Sequence, residues 1–225
     1  MTALPPPAEG SWDLRLPAGD VDLAGNLVIP GEVRGLVLFV HGSGSSRFSR
    51  RNRFVAEELQ AAGLATLLFD LLSEAEERID RRDASYRFDI PLLARRTVAV
   101  IDQLAREASL VPLPLGLFGA STGAAAALIA AADRPERVAA VVSRGGRPDL
   151  ADRALPAVEC PTLLIVGGQD TEVLQLNREA AARLRAPHEL TIVPGATHLF
   201  EEPGALEQVA ALAGAWFLRH RSPPP

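Results

Sequence analysis

The sequence predicts an α/β fold: a mostly parallel central sheet flanked by helices on both faces. Three observations carry that prediction. Short apolar runs of strand length alternate with helical patterns of 10–15 residues along the chain. The central runs, such as Leu36–Val40 and Leu163–Val166, are continuously apolar, as strands buried on both faces are. Gly/Ser-rich segments stand directly after several of these runs, and in open parallel sheets ligands bind at the carboxyl ends of the strands.

The elements follow in order. Trp12–Leu16 and Leu23–Ile29 read as a β-hairpin turned by Gly19-Asp20 and closed by Pro30. Leu36–Val40 is a buried strand, followed by the loop His41–Ser46. The apolar positions 54, 55, 59 and 62 give a helix over Arg53–Ala62, ended by Gly63. Leu64–Phe69 is a strand, Ser73–Asp89 a polar stretch, and Leu92–Glu107 a helix. Leu113–Phe118 is a strand, and the helix Ala124–Ala132 stops before Pro135. Strands over Val138–Ser143, Thr162–Val166 and Glu189–Val193 complete the sheet, with helices over Leu174–Leu184 and Leu206–His220.

At 225 residues the chain fits one domain. We expect it over residues 12–220, between an N-terminal tail at 1–11 and a C-terminal tail at 221–225, because Pro5-Pro6-Pro7 and Pro223–Pro225 continue no helix or central strand. The formal net charge of −5, with arginine as the only fixed cation, argues against sequence-independent nucleic-acid binding. No secretory pattern and no run long enough to span a bilayer is visible, so a cytoplasmic protein without membrane association is expected. The single cysteine, Cys160, excludes an internal disulfide and reads as a small buried apolar residue. No cofactor and no metal is expected, only a small-molecule partner.

The strongest motif is Gly119-Ala-Ser-Thr-Gly123, placed between a strand and a helix. That context is what the G-x-S-x-G turn requires: a sharp bend that projects Ser121 above the sheet, with minimal residues two before and two after it. A serine hydroxyl needs a base to take its proton. His188 precedes a strand, His220 is near the C-terminus, and His41 belongs to the loop after the first buried strand. His198, just beyond the last strand, is the candidate base. The orienting acid is expected between serine and histidine in chain order. Asp170, after Leu163–Val166, fits, with Glu172 as the fallback and a helix N-cap as the alternative use of Asp170. Two backbone amides, of Ser43 and Thr122, are the expected oxyanion donors.

Arginines cluster near the strand ends, at 47, 50, 51, 53, 144 and 147, and Ser73–Asp89 carries six acidic residues. Ion pairing between these solvated loops is one reading. The other is that Arg144 binds a carboxylate or phosphate on the substrate.

Together His41–Ser46, Gly119–Gly123, Gly167-Gly-Gln-Asp170 and Pro194–Phe200 resemble the α/β-hydrolase superfamily over roughly residues 12 to 220. The chain looks most like the small, lidless dienelactone-hydrolase-like group, which includes members fused to phosphoribosyltransferase domains. The resemblance implies hydrolysis of an ester, lactone or thioester through an acyl-serine. Acyl transfer by the same machinery, or a non-catalytic binding domain on this fold, are the alternatives. Dienelactone hydrolase proper uses a cysteine nucleophile, whereas this chain has Ser121. The 18 or so residues between the strands ending near Ser143 and starting near Thr162 leave no room for a cap, so an open site is expected, with Leu71–Asp89 as the segment that could regulate access.

Overall fold

The computed structural model describes residues 9–108 and 110–222. The tail expectations for 1–8 and 223–225 therefore lie outside the described residues. β1 (Gly10–Ala18) already begins within the stretch expected to be a tail.

β1 and β2 (Val21–Ile29) form the expected hairpin, with Ala18 opposite Val21. Its two-residue loop starts with Gly19 at φ 76°, a conformation that glycine adopts without penalty and that matches the twist of the two strands. β3 (Leu36–Val40), β4 (Ala65–Phe69), β5 (Leu115–Ala120), β6 (Val138–Arg144), β7 (Thr162–Gly167) and β8 (His188–Val193) complete an eight-stranded sheet in the order β1-β2-β4-β3-β5-β6-β7-β8. The pairings of β1 with β2 and of β2 with β4 are antiparallel, and all the others are parallel.

Side chains alternate across the sheet with period two. Leu36, Leu38, Leu115, Leu117 and Leu164 face one apolar layer, against α3 (Ile90–Leu104) and α4 (Thr122–Asp133). Val37, Phe39, Phe118, Leu163 and Ile165 face the other, against α1 (Arg50–Ala61) and α6 (Ala205–Arg219). α5 (Thr171–Ala181) connects β7 to β8. The layers position the site because β3, β5, β6, β7 and β8 all run parallel and deliver their carboxyl ends to the same edge.

Two elements differ from the sequence expectation. The polar stretch after β4 contains a helix, α2 (Glu74–Asp83), opened by a capping box in which Ser73 and Glu76 satisfy each other's backbone N–H groups. A 3₁₀ segment, Pro148–Ala157, fills the connection between β6 and β7 in place of a cap. The expected ion pairing between the arginine cluster and the acidic stretch is also corrected. Arg47 pairs with Asp70, Arg51 with Glu201 and Arg147 with Asp149. Within the acidic stretch, Glu76 pairs with Arg96 and Asp80 with Arg87. The first of these pairs fastens α2 to α3, where Arg96 is buried and also donates to the Leu71 carbonyl; the second closes the segment on itself, the buried Asp80 carboxylate accepting from the Tyr86 and Arg87 N–H groups. The segment over Leu71–Asp89 is thus held to α3 through Arg96 and folded on itself through Asp80.

Candidate active site

Ser121 lies between the end of β5 and the first residue of α4, at φ 50° and ψ −125°. This is a conformation L-residues rarely adopt, and such a residue costs on the order of 1–3 kcal/mol. The local sequence makes the turn possible. A Cβ at Gly119 would stand 2.4 Å from the Ala124 Cα, and one at Gly123 would stand 2.2 Å from the Val40 carbonyl oxygen. Neither position could carry a side chain without opening the turn. Ser121 is the N-cap residue of α4, yet its hydroxyl makes no capping bond. The Ala124 N–H, in the first turn of α4, donates to the Ser121 carbonyl (3.1 Å), while the earliest N–H groups of a helix have no intrahelical acceptor.

The segment after β6 holds the turn from the side. The Arg144 carbonyl accepts the Ser121 N–H (3.2 Å), and the Arg147 N–H donates to the Ser121 carbonyl (3.0 Å). Gly145, at φ 50°, lies against His198: a Cβ there would be 3.6 Å from Nδ1 of the ring. One short stretch therefore touches both the serine backbone and the imidazole.

Nδ1 of His198 is 2.7 Å from Oδ2 of Asp170. Asp170 is the N-cap residue of α5, the alternative weighed for it, but its carboxylate caps nothing and turns to the histidine instead. The fallback, Glu172, is exposed. A Cβ at Gly167 would fall 2.4 Å from the Ala196 carbonyl oxygen, so the glycine is what lets the loop after β8 cross over the end of β7 and bring residue 198 to residue 170. Two residues on, Phe200 is fully buried at φ 56°, and its ring packs near Gly145. The buried phenyl ring anchors the histidine loop, a role no sequence pattern had suggested. Among the described residues the His198 ring bonds to Asp170 alone, and no hydrogen bond joins it to the Ser121 hydroxyl.

The other histidines take the places expected of them. His188 is exposed at the start of β8, and the His220 ring lies tilted against that of Trp216. His41 is a buried clamp. Its Nδ1 is 2.9 Å from the Gly42 carbonyl, and its Nε2 accepts the Leu71 N–H at 3.0 Å, which fixes the proton on Nδ1. Burial lowers its pKa against the opposing pull of the Gly42 carbonyl, Asp70 and Glu77. A neutral His41 thus ties the loop after β3 to the segment after β4.

That loop also differs from expectation in one respect. The Ser43 N–H, expected to point freely at an oxyanion, donates to the Thr122 hydroxyl at 2.9 Å. The bond tethers the loop to the first turn of α4 and brings the two predicted amides, of residues 43 and 122, to one place. Thr122 contributes its side chain as well as its backbone, which the motif alone did not reveal. Arg144 is buried at 8% exposure and pairs with no carboxylate among the described residues. Cys160 is buried, and burial pushes its thiol up to about 12. No described helix is long and apolar enough to cross a membrane.

Comparison with known proteins agrees with this architecture. The family model of the alpha/beta hydrolase domain matches residues 33–211. A crystal structure of a dienelactone hydrolase from Anabaena variabilis is 57% identical, with a TM-score of 0.93 over 94% of this chain and 98% of that one. A Xanthomonas campestris protein described as an α/β serine hydrolase without lid superposes with a TM-score of 0.76 at 20% identity, over the whole of both chains, a likeness of fold alone. Among curated proteins, a Mycobacterium tuberculosis protein named as a phosphoribosyl transferase is 58% identical over 92% of this chain. The match takes in 46% of that relative, so the chain spans about half the length of the curated relatives it matches. By sequence and by fold, the chain belongs to the α/β-hydrolase family, in its dienelactone-hydrolase-like group.

Proposed function

We propose that this protein is a serine hydrolase that cleaves an ester, lactone or thioester of a small molecule through an acyl-serine intermediate. The observation that supports the reading is the strained, uncapped Ser121 at the head of α4, together with a histidine bonded to a carboxylate at the same edge of the sheet. In this reading Ser121 attacks the carbonyl carbon. His198 accepts the hydroxyl proton at Nε2 and returns it to the leaving group. Asp170 holds the Nδ1–H tautomer and stabilises the imidazolium that forms. Hydrogen bonds between nucleophile and base are often long before substrate binds and tighten in the complex, which accounts for the absent serine–imidazole bond.

The Thr122 N–H, at the head of α4, is the first oxyanion donor. The Ser43 N–H is the second, released or shared by the Thr122 hydroxyl as negative charge builds. Removing one such donor costs roughly 2.7–4 kcal/mol of transition-state stabilisation in a studied hydrolase. With serine in place of cysteine as nucleophile, an alkyl or aryl ester suits the site better than a dienelactone.

The test is a panel of p-nitrophenyl esters, lactones and thioesters of graded chain length, assayed with the wild type and with Ser121→Ala. The reading predicts turnover of at least one class by the wild type and its loss in the variant. Turnover that survives in Ser121→Ala refutes it.

A further inference from the structure

Asn177 lies within α5, about two turns beyond the N-cap residue Asp170, and its side chain is fully buried. Asparagine inside a helix is a poor choice for helix stability, and here its Oδ1 has no partner among the described residues. The other buried residues of α5, Val173, Leu174 and Ala180, are apolar, so packing alone asks for no amide. Nδ2 donates to the Val173 carbonyl at 2.8 Å and to the Gly146 carbonyl at 2.9 Å. Two carbonyl acceptors fix which end of the amide faces them. The first bond stays within the helix. The second crosses to the segment after β6, where no other donor reaches the Gly146 carbonyl among the described residues. Buried carbonyls are rarely left without a donor, and Asn177 supplies this one.

That carbonyl shares a peptide group with the Arg147 N–H, and the Arg147 N–H donates to the Ser121 carbonyl at 3.0 Å. The Ser121 carbonyl in turn shares a peptide group with the Thr122 N–H. Every peptide bond among the described residues is trans, so the N–H and C=O of each group point in opposite directions. A continuous line of donors and acceptors therefore starts at the Asn177 amide, passes through the Gly146–Arg147 and Ser121–Thr122 peptide groups, and leaves by the Thr122 N–H. At the head of α4 that N–H has no intrahelical acceptor. Hydrogen-bonded groups in a chain polarise one another, so the line both aims the Thr122 N–H and strengthens it as a donor. The serine turn needs such bracing. Ser121 sits at φ 50° and ψ −125°, and its ψ is the angle that sets where the Thr122 N–H points. The middle of the line is packed down to bare backbone: a Cβ at Gly146 would run into the Ser143 hydroxyl and the Ala124 methyl.

We propose that Asn177 is a positioning residue of the oxyanion hole, which holds and polarises the Thr122 N–H through two intervening peptide groups. The proposal rests on the reading of Ser121 as nucleophile and adds a residue of α5 to the machinery around it. The same helix carries Asp170 at its head, so one element both orients the imidazole and braces the oxyanion donor.

The test compares the wild type with Asn177→Leu, which keeps the side-chain volume and removes the donor, and with Asn177→Ser. The shorter serine hydroxyl keeps the bond to the Val173 carbonyl and gives up the one to Gly146; it carries the test if the leucine variant does not fold. Each protein is assayed on p-nitrophenyl butyrate and titrated with propyl trifluoromethyl ketone. The Ser121 oxygen adds to the ketone carbon, the hydroxyl proton passes to His198, and the carbonyl oxygen becomes the anion that the hole receives. In both variants kcat should fall about 10- to 100-fold with KM nearly unchanged, less than the 10²–10³ of losing a donor outright. The ketone should bind more weakly by the same factor, while the acid limb of the pH–rate profile stays in place, because the His198–Asp170 pair is untouched. In amide NMR spectra the Arg147 and Thr122 protons should move upfield, as protons in weakened hydrogen bonds do. Folded variants that keep the wild-type kcat overturn the proposal and leave the hydrolase reading intact. A loss of rate with the ketone affinity and the Arg147 proton unmoved does the same, since the lost rate then comes from elsewhere. A wild type that neither turns over any ester nor binds the ketone condemns the hydrolase reading, and the proposal with it.

Discussion

Gly123→Ala is the most demanding test of the packing around the serine turn. The added methyl would stand 2.2 Å from the Val40 carbonyl oxygen, 2.4 Å from that of His41 and 2.8 Å from the His41 carbonyl carbon. All three are backbone atoms at the end of β3, a strand paired on both sides by β4 and β5, so the neighbour cannot yield cheaply. Overpacking of a filled interior costs about 1–3 kcal/mol, and the upper end applies where backbone must move. For a chain of this size that is a fall of roughly 6–12 °C in melting temperature, at about 2–4 °C per kcal/mol. Displacing the His41 carbonyl also pulls on the Leu71 clamp and on the Ser43 amide, and a shift of about 1 Å in a catalytic loop can cost on the order of 10²-fold in rate. Gly214→Ala is the matched control. Its methyl would meet only Leu59 Cδ2, at 3.4 Å, in the interior of α6, where alanine is favoured over glycine by about 1 kcal/mol. Thermal unfolding followed by circular dichroism, with esterase activity on the same samples, should show opposite signs for the two changes. A Gly123→Ala variant that melts with the wild type and keeps its activity would refute the reasoning.

Asp170→Asn should lower kcat by about 10⁴-fold with little change in KM, because the amide leaves the imidazole in place but favours the wrong tautomer; steady-state kinetics on the best ester would reveal it, and a loss confined to KM would contradict the assigned role. The anchoring of α2 should make stability acid-sensitive. Burial pushes the Glu76 and Asp80 carboxyls up, but hydrogen bonds from Arg96 and Ser73, and from Arg87 and Tyr86, outweigh it and hold both below the ordinary carboxylate range. Their contribution is thus complete above the unfolded-state carboxylate pKa of about 4 and is lost as pH falls through the depressed folded values. Melting temperatures taken downward from pH 7 should therefore drop on the acid side, and Asp80→Asn should flatten that drop; parallel acid limbs in the two proteins would count against the pairing. Cys160, buried and with its thiol raised to about 12, should resist iodoacetamide at pH 8 in the native protein and react on unfolding. Native-state alkylation at the rate of a free thiol would show that the end of the sheet is open.

What could be read from the chain and what could not divides along a physical line. The serine turn was legible because its requirements are local: two glycines with no room for a Cβ, a strand before and a helix after. The hairpin was legible for the same reason, through Gly19 and the apolar alternation around it. Asp170 and His198 were reachable because a parallel sheet sends every strand's carboxyl end to one edge, so chain order alone narrows the choice. α2 was missed because Glu74–Asp83 is almost wholly charged and has no apolar stripe; the Ser73–Glu76 capping pattern was the available cue. The partners of the arginines were not legible either. Arg47 chooses Asp70, 23 residues away, over the denser acidic stretch, and only the fold brings that carboxylate beside it. The tether from the Ser43 amide to the Thr122 hydroxyl spans 79 residues, and the unpaired state of Arg144 concerns an absent partner, which no pattern in one sequence encodes.

The central claim is tested most directly by reacting the protein with a neutral fluorophosphonate and mapping the adduct by peptide mass spectrometry. A single adduct is predicted on Ser121, absent from Ser121→Ala and formed about 10³-fold or more slowly in His198→Gln. An adduct on another residue, or undiminished labelling without the imidazole, would contradict the account.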